Sequence, residues 1–264
     1  KNTLKARRLE FYIQDSWKFT SPQQTNFYTL NYGVRFSNWS FNKESIASPR
    51  ASLAVIPHWN EDVTLRFAAG LYYQAPFFKE LRDTTTVNGV TRATLNDKIK
   101  SQQSIHFIAA YDYRFKFGNR PFKFTAEAYY KMLHNLIPYS VNNMKITYNG
   151  INECSGYIAG IDLKLYGEFV PGTDSWITFS LMKTGMDYRG QTIPLPTDQR
   201  YSVNLFFTDY FPGTDRWRMA LKLAFADGLP FGPPHTDNQR QNFRAPAYQR
   251  VDIGMSYRAY KRAN

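Results

Sequence analysis

The chain has 264 residues, 43% hydrophobic and 17% aromatic, and its 33 Lys and Arg against 21 Asp and Glu give a net charge of +12. Mean hydropathy is nonetheless −0.50, so apolar and polar side chains are interleaved, and no window holds the ~18 uninterrupted apolar residues that a membrane-crossing helix needs. Cys154 is the single cysteine, which excludes an internal disulfide and a thiolate metal cluster, and the basic residues are spread out rather than gathered into a nucleic-acid surface.

Alternation with a period of two runs from end to end, the pattern of strands whose two faces meet different surroundings. In chain order it predicts strands near 6–19, 26–37, 49–57, 63–74, 101–117 and 122–137, then 155–169, 175–188, 200–210, 216–227 and 248–260. It is cleanest in Trp217–Ala226, where Trp217, Met219, Leu221, Leu223 and Phe225 alternate with Arg218, Ala220, Lys222, Ala224 and Ala226. Several of these strands run past the roughly five or six residues usual in soluble sheets. The aromatic load suits a lipid-facing band with interfacial girdles. The expected fold class is therefore all-β, an antiparallel up-and-down transmembrane β-barrel, rather than a soluble sandwich.

Connections alternate in length. Short turns are expected at 20–25, 58–62, 118–121, 171–174 and 212–215, and longer segments at 38–48, 75–100, 138–154, 189–199 and 228–247. Short periplasmic turns opposite long outer loops are the asymmetry of outer-membrane barrels. Two turns are near copies, Phe169-Val-Pro-Gly-Thr-Asp-Ser-Trp176 and Tyr210-Phe-Pro-Gly-Thr-Asp-Arg-Trp217. The predicted strands number eleven, and the first and last run in the same direction. An odd antiparallel set cannot close, so further strands are expected beyond Lys1, Asn264 or both.

Several segments resemble those of TonB-dependent receptors. Tyr12-Ile-Gln-Asp-Ser-Trp17 is similar to that family's aromatic-x-Gln-Asp strand, and Ser48-Pro-Arg-Ala-Ser-Leu53 and Arg66-Phe-Ala-Ala-Gly-Leu-Tyr-Tyr-Gln-Ala-Pro-Phe77 to the hairpin that follows it. Ala128–Ile137, Gly156–Asp162, Pro196–Arg200 and Tyr248–Gly254 continue the series in the family's order. The resemblance implies a barrel of roughly 22 strands closed around a plug, with residues 1–264 forming roughly strands 10 to 20 of it. It also implies active uptake of a scarce small solute (siderophore, cobalamin, glycan or peptide), with outer-membrane lipid around the wall. The chain carries neither plug nor TonB-binding segment, so contact with the TonB complex would run through an N-terminal region absent here. A surface lipoprotein or other membrane-complex subunit is a further partner in view. No nucleic acid and no cofactor are expected. A passive porin-like channel and a structural or secretion-complex subunit stay open as alternatives.

By parity, Arg35, Arg50, Arg66, Arg114, Lys116, Lys123, Lys131, Lys164, Arg218, Lys222, Arg250 and Arg258 face the interior, with fewer acids, Glu10, Asp112, Glu127, Asp162 and Asp252. A confined wall of one sign concentrates counter-charged solutes, although the same groups could equally pair with a plug. Substrate contacts are expected from Arg35, Arg50, Tyr72, Gln74, His106, Asn204 and Arg250 on the upper wall, with Phe77 and Phe78 from the loops. Trp39, Phe41, Tyr139, Tyr148, Phe231 and Phe243 could grip a ligand or pack the loops together. Cys154 reads as a loop thiol. His58, His106, His134 and His235 lack metal-site spacing, and no nucleophile elbow or phosphate loop occurs, so no enzyme is expected.

Overall fold

The computed structural model describes residues 5–22, 26–87, 90–142, 145–233 and 241–259, and among them there is no helix. His235, Pro234 and the terminal Arg262-Ala-Asn264 lie outside the described residues. Strands β1 (Arg8–Thr20), β2 (Phe27–Trp39), β3 (Glu44–Ile56) and β4 (Val63–Gln74) lead to a small hairpin, β5 (Arg82–Val87) with β6 (Val90–Leu95). Next come β7 (Gln102–Phe117) and β8 (Arg120–Leu136), then a second hairpin of β9 (Tyr139–Asn142) and β10 (Lys145–Tyr148). β11 (Cys154–Gly167) and β12 (Ser175–Tyr188) are followed by short β13 (Gln191–Ile193), then β14 (Tyr201–Tyr210) and β15 (Trp217–Ala226). A third hairpin, β16 (Pro230–Phe231) with β17 (Phe243–Arg244), precedes β18 (Tyr248–Tyr257). The eleven long strands form one antiparallel sheet, each beside its successor, with β13 added on β12 and with β1 and β18 at the edges.

Directly opposed residues share a face, so the ladder turns the alternation into two surfaces. One row reads Leu205–Leu223–Val251 and the next Asn204–Ala224–Arg250. The apolar face has no second layer against it: Ile13 is 72% exposed and Ile253 73%. Among the described residues there is no oily centre shared between two sheets, as a sandwich would have. In a bilayer the apolar face meets lipid instead, and the ladders satisfy the backbone groups of the paired strands. Toward the short turns that face gathers ring contacts, Trp17–Phe19, Phe19–Tyr28, Tyr113–Phe115, Phe115–Phe122 and Trp217–Tyr257, with centroids 4.8–5.6 Å apart. This is the interfacial girdle that the composition foretold.

The twin Pro-Gly turns are alike in geometry. Gly172 and Gly213 have φ of 77° and 79°, and Thr173 and Thr214 each donate their N–H at 3.1 Å to the carbonyls of Val170 and Phe211. Pro then Gly at the two central positions is what a type II turn requires. Beyond the last β12–β14 rung, side chains replace the ladder. Buried Ser175 accepts from Thr208 N–H at 3.0 Å, and the Thr208 and Thr173 hydroxyls donate to the carbonyls of Asp174 and Thr208 at 3.0 Å. Elsewhere the ladder is tightened by an aromatic ring over a glycine. Tyr129 opposes Gly160 and lies flat across it, where a side chain would collide with the ring, and Phe122 lies over Gly167 in the same way. Such pairs restore cover to a strand that glycine would leave bare.

Two expectations need correction. Residues 38–48 are no long loop: the ladder continues to Trp39↔Glu44, and only 40–43 turn, with Lys43 at φ 55°. The polar run there reads as loop, yet it lies on strands extending beyond the apolar band. The other long segments carry structure of their own: 75–100, 138–154 and 228–247 each hold a hairpin and 189–199 holds β13. Cys154 begins β11 rather than lying in a loop, and it is buried with Met186, Tyr188 and Ile193.

The loop end has a packed tier of its own. Leu81 and Ile99, 0% and 1% exposed, join Ile137 in a cluster covered by Trp39, Phe41, Leu95 and Tyr148. Polar ties bind the same loops: Glu44 accepts from the Ser101 hydroxyl at 2.6 Å, and Asn152 holds both Lys100 N–H (2.7 Å) and Lys100 carbonyl (3.0 Å). Buried Glu80 caps its own turn, accepting from Phe77 N–H at 2.7 Å and from the Gln102 amide at 3.3 Å. Burial raises its carboxyl pKa, against these two hydrogen bonds that lower it. Across the sheet, Arg244 clamps two loops. It is hydrogen-bonded to the Asp198 carboxylate, to Asp227 Oδ2 at 2.7 Å and to the Asp198 and Gly228 carbonyls at 2.9 and 3.1 Å.

Two outcomes are expected. Gly160→Val should lower unfolding stability in lipid vesicles by about 1–3 kcal/mol, because Tyr129 and the Leu181 carbonyl leave no room for the new methyls. An unchanged urea midpoint would show that the ring does not lie there. For Glu80 the raised pKa means that the folded loop binds the proton more tightly than the unfolded one. Its contribution is thus full below the ordinary carboxyl range and is lost as pH rises through the raised value. Hydrogen exchange of residues 77–81 should therefore quicken on going from pH 4 to pH 7 beyond its intrinsic pH dependence, and Glu80→Gln should remove that excess.

Candidate functional site

Toward the loop end, the polar face of β1 to β4 carries two adjoining hollows of about 740 and 490 Å³. Arg35, Arg50 and Tyr72 line both. The deeper one adds Tyr12, Gln14 and Asn31; the upper one adds Arg8, Glu10, Gln74 and Phe77. The space follows from the ladder, which sets Arg50 between Gly33 and Gly70 and surrounds it with Ser48, Ser52 and Ala68. A long cation is thereby flanked by residues too small to cover it.

Arg50 lies over the Tyr72 ring at 5.6 Å, and Tyr72 in turn meets the His106 ring at 4.3 Å between centroids. His106 is opposite Lys131 on the next strand. The charges are not equally available. Arg35 is hydrogen-bonded to Glu10, which Arg8 also meets at 3.1 Å, whereas Arg50 has no carboxylate partner among the described residues. Closer to the turn end, Arg66 and Lys123 are matched. Asp112 takes Arg66 at 2.7 Å, the Thr125 hydroxyl at 2.7 Å and Lys123 at 3.3 Å, and Arg66 reaches Glu127 at 3.9 Å. Pairing that the sequence left open is thus observed for these groups and not for Arg50.

All the polar-face residues named from parity lie on that face. The structure brings Arg35, Arg50, Tyr72, Gln74, Phe77 and His106 into one neighbourhood, with Phe77 and Phe78 exposed above it. Asn204 and Arg250 are not part of it. They share a row through Ala224, and β14 stands five strands from β4, about 24 Å across the sheet. Arg250 is also held by its own Asp252 at 2.8 Å. Tyr12, Asn31 and Arg8 went unpredicted, although their parity was the available signal. Asp198, Asp227 and Arg244 had none, being distant in sequence. Of the loop aromatics, Trp39, Phe41 and Tyr148 pack the tier, Tyr139 meets Tyr148 at 5.6 Å, and Phe231 and Phe243 face each other at 5.9 Å, half exposed. His58 sits in a short turn and His134 on the apolar face opposite Gln103.

Three solved structures show the same fold. The ferric enterobactin receptor PfeA of Pseudomonas aeruginosa superposes with a TM-score of 0.66 at 15% identity, covering 97% of this chain and 38% of that one. The siderophore receptor PirA of Acinetobacter baumannii gives 0.66 at 17%, over 97% of this chain and 40% of that one. The ferric-catecholate import receptor Fiu of E. coli gives 0.61 at 11%, over 97% and 39%. The chain thus spans about two fifths of each. No curated protein matches its sequence. The family model described as TonB dependent receptor-like, beta-barrel matches residues 1–263. The chain therefore belongs to the TonB-dependent receptor-like β-barrels, proteins of the bacterial outer membrane.

Proposed function

We propose that the chain supplies the later wall and outer loops of an energised outer-membrane importer, and that it receives an anionic solute or chelate on Arg50 and Tyr72. The observation that carries this reading is the pair of hollows sharing a cation without a carboxylate partner beside an aromatic ring, set under a packed loop tier. A guanidinium among small residues offers its donors to carboxylate, phenolate or phosphate oxygens. The ring adds an apolar surface next to that charge. Arg114, Lys116, Lys131 and Lys164 lie further along the same face without carboxylate partners among the described residues, a positive wall that favours onward passage of an anion. PfeA, PirA and Fiu are named for ferric enterobactin, siderophores and ferric catecholates, which makes ferric siderophores the first solutes to try. Energy would come from TonB through an N-terminal region outside this chain.

The test is uptake by cells carrying the full-length protein, measured against concentration for a panel of labelled ferric chelates. Arg50→Gln should raise the half-saturating concentration about tenfold, the effect of losing one charge-assisted contact of roughly 1.4 kcal/mol. Arg35→Gln should cost less, because Glu10 already occupies that guanidinium. Uptake of every chelate left unchanged by the Arg50→Gln, Tyr72→Ala double variant would end this reading.

A further inference from the structure

The apolar face holds an unexpected feature, a carboxylate. Asp15 falls between Ile13 and Trp17 on that face, and its cross-strand partner Tyr32 donates its hydroxyl at 3.1 Å. Ser16 N–H donates to the other oxygen at 2.8 Å. A carboxylate offers about four acceptor positions, of which two are used among the described residues. Ionisable groups facing hydrocarbon are costly and are as a rule paired.

The row through this pair leads somewhere. Asp15 and Tyr32 are followed by Ala51, Ala69, Phe107 and Tyr130, and the adjacent row on the same face reads Leu30, Leu53, Phe67, Ala109 and Ala128. Between the two rows lies a trough of about 630 Å³, floored by the alanines and walled by Phe67, Phe107 and Tyr130. Five strands wide, it is about 19 Å long. It also slopes. Leu30 lies near the turn end of β2 at Phe27, whereas Ala128 lies near the middle of β8 (Arg120–Leu136). The polar pair therefore stands at the low end, just above the Trp17–Phe19–Tyr28 rings, and the carbon-lined trough rises from it into the apolar band.

We propose that this is a seat for one phospholipid of the periplasmic leaflet that bears a primary ammonium, such as phosphatidylethanolamine. An acyl chain fills the trough, which continues the lipid-contacting face, and the ammonium donates to Asp15. Charge chooses the headgroup: a carboxylate attracts an ammonium and repels a lipid whose headgroup is only anionic. Tyr32 holds the carboxylate in place.

The full-length protein, purified in mild detergent, is titrated with phosphatidylethanolamine or phosphatidylglycerol, and bound lipid is counted by native mass spectrometry. Wild type should retain one phosphatidylethanolamine with about tenfold preference over phosphatidylglycerol. Asp15→Asn should abolish the preference. Ala109→Trp should lose retention of both lipids, and Ala109→Leu, a smaller intrusion less prone to misfold, should weaken it in the same sense; Ile253→Ala, far along the wall, should change nothing. Equal retention of the two lipids by wild type, or unchanged binding in Asp15→Asn or in Ala109→Leu, would overturn the proposal. So would a co-purifying protein segment that excludes lipid from the trough.

Discussion

In hydrocarbon no water stands ready to satisfy a backbone N–H or C=O, so each strand must be paired along its membrane-crossing length. That constraint shapes the whole chain. It makes the strands long and forces each beside its successor, and it transmits one parity across the sheet. Because lipid covers the apolar face, the wall needs no interior core of its own. The buried apolar clusters, around Leu81 and around Cys154, accordingly lie at the loop end, beyond the bilayer's reach. Where a rung is missing, at Thr208 and Ser175, hydroxyl groups take over the duty of the ladder.

The same constraint shapes the hollows around Arg50. A ladder fixes the position of Arg50 to within a rung, and Gly33 and Gly70 on either side keep space around it. Positioning on rigid strands holds a polar contact more closely than a loop would. The loops above contribute by being tied down rather than by hanging free. Trp39 and Phe41 anchor them to the wall's upper margin, and Glu80 sets the turn that displays Phe77. The candidate residues on strands and on loops thus come to share one frame.

Much of the fold was legible because its cause is local and periodic. Trp217–Ala226 declares its two faces residue by residue, and the Pro-Gly-Thr-Asp repeats declare their turns. Arg35, Arg50, Tyr72 and His106 could be assigned one face by parity alone. What failed had other causes. Ser37–Ser45 is polar because it extends above the lipid, and polarity was mistaken for a loop. The β5–β6 hairpin did carry a signal, Asn88-Gly89 between two valines, which is the usual two-residue hairpin sequence. Asn204 and Arg250 share the face of Arg50 but not its strands, because parity gives the face and not the strand's place in the sheet. The ring over Gly160 and the contacts of Arg244 depend on register and long-range closure, which a linear reading does not supply.

The Arg244 clamp has a consequence for how such a surface can change over time. One guanidinium answers two carboxylates and two carbonyls, all of them mostly hidden from solvent. Removing the cation strands Asp198 and Asp227 together, and removing either acid leaves a charge half answered, so each single step toward a freer loop passes through a less stable protein. Drift can rewrite the exposed rings of Phe231 and Phe243 one residue at a time, while the base beneath them changes only in concert. The outer surface is thereby divided into exposed rings that can change singly and an anchorage whose parts are bound to one another.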